Sequence, residues 1–337
     1  MTRILVLQLK RMSELLLTTP ALAALRSHEA DAHITLAVDS SSREFLPAFD
    51  FIDESLVFSR RGGNRAFWRK LILASYDICL DFTGNDRSAI CSLLSKSKRR
   101  ITFDPGGKSP LQSIFHNEFI RSSARENHTA DHSLHLLQAL GITSGDNRIR
   151  LALPDWAEKK AGQLLEESGV RGPFVLLHPG AMRPEKQWIA GRWAEVLEFC
   201  RKTLGLDCVV TGAGDSAEAT HIAAIGAKTT FHNLAGHTDL LTLASLARRA
   251  RLLLSVDSIA MHLGAAFETP QVALFGKTNP FLWRPLHGKA RVLQAGRQAN
   301  QADQAFTPRS PGGPMIEIST PEVIDAIRIL VNNSGPE

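Results

Sequence analysis

Four stretches of this chain combine charged, histidine and glycine residues just beyond an apolar run. Glu14 follows the run Ile4-Leu5-Val6-Leu7 after a short polar break. A carboxylate there can act as general base toward a hydroxyl if it lies within hydrogen-bond reach of the proton. An acid in the same place would also stabilise a helix dipole. His178-Pro179-Gly180-Ala181 follows a second apolar run, with Lys186-Gln187-Trp188 behind it. Gly180 permits close backbone approach, and Lys186 offers a compact cation suited to phosphate. Gly212-Ala213-Gly214-Asp215-Ser216-Ala217 matches the Gly-x-Gly-x-x-Gly/Ala nucleotide turn, although a plain tight connection would use the same glycines. The acid such a turn wants about 20 residues later is not convincingly present, the nearest being Asp239. In Ser255-Val256-Asp257-Ser258-Ile259-Ala260-Met261-His262 a strand gives way to a helix capped by Asp257 or Ser258. Its free N–H groups suit a diphosphate, and His262 faces back along the same side.

The elements that position these residues follow from hydrophobic pattern. Residues 3–9 read as a buried strand, residues 15–25 as a helix with Thr19-Pro20 at its cap and first turn, and residues 32–38 and 76–81 as further strands. After Pro154 and a charged helix over 156–168, the pattern restarts: strands at 174–178, 207–211, 251–256 and 271–275, helices at 190–204, 217–226 and 258–267. Residues 298–314, polar and rich in Gly and Pro, read as a loop, and Pro321 opens a last helix to about residue 330. Strands alternating with helices imply an α/β protein with parallel sheets covered on both faces, here in two units. Ligands of such sheets bind beyond the carboxyl ends of the strands, where the four stretches lie.

Composition limits the partners. The 337 residues are 44% hydrophobic and 22% charged, which argues against disorder, collagen-like repeats and small disulfide scaffolds. No apolar run approaches a membrane helix, and the opening one is too short for a secretory signal. Four cysteines, at 79, 91, 200 and 208, lack zinc-site spacing and suggest reduced thiols inside a cell. Residues 60–125 hold 13 Lys and Arg against 5 acids, a local +8 within a chain of +5. Such a stretch attracts a phosphorylated or carboxylated substrate or an anionic membrane surface. Nucleic acid is disfavoured, because Tyr76 is the only tyrosine and no aromatic-basic signature appears. The run at 96–100 on its own also reads as a solvated face.

Taken together, the stretches resemble glycosyltransferase family 9, the ADP-heptose lipopolysaccharide heptosyltransferases. The family's Gly-Asp-Val/Leu-x-x-Thr-x-Pro-Ala-Leu opening is matched by Ser13-Glu14-Leu15-Leu16-Leu17-Thr18-Thr19-Pro20-Ala21-Leu22. Its His-Pro-Gly-Ala turn, Lys-x-Trp, glycine turn with downstream Glu, Asp-Ser/Thr-Gly-x-x-His and Ala-Leu-Phe-Gly-x-Thr-x-Pro are matched at 178–181, 186–188, 212–218, 257–262 and 273–280. The resemblance implies a GT-B fold: two Rossmann-like domains facing each other across a central cleft. These would be an acceptor domain over 1–153, a nucleotide-sugar domain over 154–320, and a C-terminal helix over 321–337 returning to the first.

The implied enzyme is an inverting glycosyltransferase that uses neither metal nor cofactor. Glu14 would be the catalytic base and Lys186 would stabilise the departing ADP. Ser13, Gly180, Gly212, Glu218, Asp257, Ser258, Ile259, His262 and Thr278 would form the donor site, with Glu218 on the ribose. Arg60, Arg61, Arg87, Arg99 and Arg100 would meet phosphates and carboxylates of an anionic glycolipid acceptor, the lipopolysaccharide inner core. The enzyme would be cytoplasmic and peripheral on the inner leaflet. Two positions depart from the family pattern. Ser13-Glu14 replaces Gly-Asp, lengthening the carboxylate by one methylene, and Ile259 replaces a Gly, where a β-branched residue would crowd the diphosphate or need another backbone angle. They leave open a nucleotide-sugar-binding module with lost or altered turnover, and the turn at 212–217 leaves open an NAD-dependent oxidoreductase.

Overall fold

A computed structural model describes residues 1–106, 109–143, 145–214, 216–297 and 306–333. The chain forms two compact units, Met1–Ala152 and Leu153–Glu337. The first contains β1 (Arg3–Gln8), α1 (Met12–Leu16), α2 (Thr19–His28), β2 (His33–Asp39), β3 (Glu54–Phe58), α3 (Arg65–Leu73), β4 (Ile78–Asp81), α4 (Asp86–Leu94), β5 (Arg99–Phe103), α5 (Pro110–Phe115), β6 (Glu118–Ile120) and α6 (Thr129–Leu136). The second contains α7 (Asp155–Glu167), β7 (Phe174–His178), α8 (Ala190–Leu204), β8 (Asp207–Val210), α9 (Ser216–Gly226), β9 (His232–Asn233), α10 (Leu240–Arg249), β10 (Leu252–Val256), α11 (Ile259–Ala266), β11 (Gln271–Phe275), α12 (Pro280–Trp283), β12 (Ala290–Gln294) and α13 (Thr320–Asn333).

Each unit has one parallel sheet of six described strands. Their orders are β3-β2-β1-β4-β5-β6 and β12-β11-β10-β7-β8-β9. Counted from its own first strand, the second sheet repeats the first, so both are doubly wound α/β sheets of the Rossmann type. The strand order reverses between β1 and β4 in one, and between β7 and β10 in the other. Those reversals are where ligands of such sheets bind, and they select the loops after β1, β4, β7 and β10.

The central strands are held by burial on both faces. Ile4, Leu5, Val6 and Leu7 of β1 are 0% exposed, each contributing roughly 1.5–3 kcal/mol of burial. In the second unit Trp188 and Trp193 are buried together, ring centroids 4.7 Å apart and nearly perpendicular. Trp188 Nε1 donates to the Ile318 carbonyl at 2.9 Å, tying the loop after β7 to the segment that leads into α13.

Several expectations change. The helix expected over 15–25 is two helices, because the hydroxyls of Thr18 and Thr19 donate to the carbonyls of Glu14 and Leu16 (2.7 Å each) where α1 ends. Pro20 then sits in the first turn of α2, where its missing N–H costs nothing. The basic run at 96–100 is not a solvated face throughout: Lys96 turns the chain with φ of 57° and Arg99 begins β5. Val323, Ala326, Ile327 and Leu330 of α13 are buried in the second unit's core, against α8, β11 and β12. Of the loop expected over 298–314, residues 298–305 lie outside the described residues.

Candidate active site

In the first unit the candidate residues lie at the turn from β1 into α1. Gln8 ends the strand, nearly fully buried, and its Nε2 donates to Thr18 Oγ1 at 2.7 Å. Thr18 Oγ1 in turn donates to the carbonyl of Glu14, also at 2.7 Å, so a two-bond bridge from the strand end fixes the backbone that carries the carboxylate. Ser13 and Glu14 occupy the first turn of α1, both half-buried. Burial raises the Glu14 pKa above the ordinary glutamate value, while its own backbone N–H and the cations Lys10, Arg11 and Arg60 pull the other way. Lys10 is pushed down by its own burial, against the opposing pull of Glu14 and Asp81.

Arg60 follows β3 at the carboxyl end of the sheet. Its Nε donates to Asp39 Oδ2 at 2.8 Å and its Nη2 to the Leu9 carbonyl at 3.1 Å, which directs it at the turn bearing Glu14. Arg61 is exposed in the next loop. Arg87, in the first turn of α4, lies over the Phe58 ring at 5.2 Å. The other two arginines are committed elsewhere. Arg99 makes a two-point pair with Glu118 (2.7 and 2.6 Å) and donates to the Ala139 carbonyl, and Arg100 donates to the carbonyls of Phe115 and Ser97. Both open β5, so they stand at the amino end of the sheet, opposite the ligand side. Arg99 and Arg100 therefore leave the expected acceptor set.

In the second unit the candidate residues lie where β7 and β10 end. Lys186 Nζ is 2.5 Å from Asp257 Oδ2, with the lysine side chain 27% and the aspartate 10% exposed. The partly exposed ammonium sits at the last residue before the Ser258 N-cap of α11. Ser258 does not cap that helix with its side chain, and its buried Oγ has no hydrogen-bond partner among the described residues. A cation, free helix N–H groups and an unused hydroxyl together suit an anion. Ile259 opens α11 with right-handed backbone; among the described residues the non-glycine ones with positive φ are Lys96 and Glu268. The expected demand for another backbone angle at Ile259 is thus absent. His262 is buried within α11. Thr278 lies in the loop after β11, its carbonyl accepting from Gln294 Nε2 at 3.4 Å.

The glycine turn is filled by an acid. Glu218 Oε2 accepts from the Ala213 N–H at 2.6 Å, and a Cβ on Gly180 would stand 2.3–2.5 Å from the same carboxylate. A Cβ on Gly212 would be 3.1 Å from Glu218 Oε2. Both glycines are therefore needed to seat a carboxylate, which accepts from hydroxyls and repels phosphate. This disfavours the dinucleotide reading of the turn, whose pyrophosphate would occupy that place. Asp215 lies outside the described residues. His178, buried at the end of β7, is pushed down to about 4 by burial and lies 3.2 Å from Thr211 Oγ1, so it is a neutral anchor between strands.

Thr18 is the Thr of the family's opening pattern, whereas Lys10, Gln8 and the loop after β4 are not marked by any motif in the sequence. Lys10 carried one signal, its four-residue spacing from Glu14 across the helix start.

Among known proteins, the model of glycosyltransferase family 9 (heptosyltransferase) matches residues 64–309. Lipopolysaccharide heptosyltransferase 3 of Escherichia coli is 25% identical over 296 residues, covering 84% of this chain and 86% of that protein. The lipopolysaccharide core heptosyltransferase OpsX of Haemophilus influenzae is 25% identical over 243 residues, covering 72% and 69%. Among solved structures, the glycosyl transferase family 9 protein of Veillonella parvula has a TM-score of 0.85 at 24% identity, over 98% of this chain and 97% of that one. Escherichia coli heptosyltransferase WaaC with ADP has a TM-score of 0.78 at 18% identity, over 98% and 100%. The structural likenesses show the two-unit GT-B type of fold. The family match spans most of the chain and takes in Lys186, Glu218, Asp257 and Thr278, so this chain is a glycosyltransferase and belongs to family 9.

Proposed function

We propose that this glycosyltransferase moves a heptose from ADP-heptose to a hydroxyl of the lipopolysaccharide inner core, inverting the anomeric carbon. Glu14 takes the hydroxyl proton as the acceptor oxygen bonds to that carbon, and the electron pair of the breaking C–O bond leaves with ADP. The observation that carries this reading is Glu14 itself: half-buried, raised in pKa and fixed by the Gln8–Thr18 bridge at the ligand end of β1. A base with an elevated pKa is matched to work near neutral pH.

Charge on the leaving diphosphate is met by Lys186, the free N–H groups of α11 and the Ser258 hydroxyl, donors already in place before the bond breaks. The reading assigns that charge to these groups rather than to a metal ion. Asp257 holds the ammonium, and Glu218 receives ribose hydroxyls. Ser13 and Thr278 border the donor, and Arg60, Arg61 and Arg87 face the acceptor's anionic groups. The +8 segment gives a salt-sensitive attraction to the anionic inner leaflet. No helix among the described residues is long and apolar enough to cross a membrane. The relatives' names, heptosyltransferases of lipopolysaccharide, support the choice of sugar and acceptor.

Mass spectrometry of a heptose-deficient lipopolysaccharide acceptor incubated with ADP-heptose and the protein tests this directly. The expected result is a gain of one heptose with release of ADP. Turnover with another nucleotide-sugar and none with ADP-heptose would overturn the donor assignment.

A further inference from the structure

The loop after β4 contains a buried network that the reaction as described does not use. Asp81, the last residue of β4, has no exposed side-chain surface, and neither has His116, whose Nε2 lies 3.2 Å from Asp81 Oδ2. Ser88 Oγ donates to the same oxygen at 2.6 Å. Asp81 Oδ1 accepts from the N–H groups of Thr83 (2.9 Å) and Gly84 (3.1 Å). His116 is itself oriented, its Nδ1 lying 3.1 Å from the Gln112 carbonyl. Three groups thus hydrogen-bond to one carboxylate, with the His116 ring beside it, and fix the backbone of residues 83 and 84.

What that backbone presents is the hydroxyl of Thr83. The ladder between β1 and β4 pairs residues as far as Leu7 with Asp81. Beyond it, Thr83 Oγ1 accepts from the Leu9 N–H at 2.8 Å and donates to the Leu7 carbonyl at 3.2 Å. One side chain therefore grips β1 on both sides of Gln8, at the point where the chain leaves the sheet toward Glu14. Gln8 and Thr18 fix the carbonyl of Glu14, and Thr83 fixes the residues from which the turn departs.

We propose that Thr83, aligned by the buried Asp81 carboxylate, is a positioning residue for the Glu14 carboxylate. It touches neither substrate and acts through the direction in which the β1–α1 turn leaves the sheet. The inference rests on the reading of Glu14 as the base. A small displacement of a catalytic group is expensive: about 1 Å can cost about 100-fold in rate.

Thr83→Val keeps the shape of the side chain and removes both hydrogen bonds, and Thr83→Ser restores the hydroxyl. The expected result is a fall in kcat of about 10- to 100-fold in Thr83→Val, with KM for ADP-heptose within about twofold of the parent. Thr83→Ser is expected to recover most of that loss. In a Glu14→Gln background the Thr83→Val change is expected to have no further effect on kcat, since there is no base left to misplace. Wild-type kcat in a folded Thr83→Val protein overturns the positioning role, as does a loss that Thr83→Ser does not recover. Full activity of Glu14→Gln overturns the base instead, so the two failures are told apart. Asp81→Asn, read by the same kcat and KM split, is expected to lose kcat as Thr83→Val does. Should it fail to fold, the Thr83 pair still decides.

Discussion

Glu14 bears a cost at neutral pH that follows from its surroundings. A buried carboxyl whose pKa is raised on folding is protonated more readily in the native state than in the unfolded chain. The penalty is absent below the unfolded pKa, where both states hold the proton. It grows as pH rises from the unfolded value and is complete above the folded one. Glu14→Gln removes it, so calorimetry at pH 7 is predicted to find that variant at least as stable as the parent. Residues placed for chemistry often carry this trade-off. The same shift predicts activity: the acid limb of kcat/KM falls off above the ordinary glutamate range, because the base must be ionised and Lys10, Arg11 and Arg60 only partly offset its burial. A limb centred at or below that range would count against burial as the dominant influence. Glu14 was legible in the sequence, since an acid just past an apolar run marks a strand end. Thr18 stood in the family's opening pattern, but its bridge to Gln8 and the role of Thr83 were not legible, because what a polar residue of common type does depends on which loops a sheet brings together.

At the scale of elements, the residues that hold the loop after β7 in place are apolar. Trp188 stands two residues after Lys186, buried against Trp193 and bonded to the Ile318 carbonyl. Trp188→Ala is predicted to cost about 3–5 kcal/mol of stability, and any folded fraction should bind ADP more weakly because Lys186 loses its anchor. Urea denaturation and ADP titration of the variant check the two parts. An unchanged ADP affinity would show that the Asp257 pair alone fixes the lysine. The strands that sequence pattern revealed are those buried on both faces, such as β1, β7 and β10, which read as unbroken apolar runs. Those it missed have little such pattern. β5 begins with Arg99 and Arg100 inside a basic run, β3 is half-exposed, and β6 and β9 are three and two residues long. Misplacing Arg99 and Arg100 in the acceptor set had the same cause, since charge density does not tell which end of a strand a residue occupies.

On the scale of the whole molecule, two sheets share one strand order although no internal repeat is visible in the sequence. Both units also depend on buried neutral histidines. His132 in the first, and His178 and His287 in the second, are each pushed down to about 4, chiefly by burial. An imidazole whose folded pKa is depressed contributes stability that is present above its unfolded value, about 6.5, and is lost as pH falls toward the folded one. Melting temperatures are therefore predicted to decline steadily between pH 6.5 and about 4 in both units. Scanning calorimetry at a series of pH values checks this, and a flat profile over that window would show that the three rings ionise in place without cost.

The central claim is that Glu14 removes the acceptor proton. Its most direct test is kcat of Glu14→Gln for transfer from ADP-heptose, measured on a preparation whose ADP affinity is determined in parallel. The account predicts a loss of about 100- to 10,000-fold in kcat with ADP affinity unchanged. A variant that transfers sugar at a rate within tenfold of the parent would contradict it.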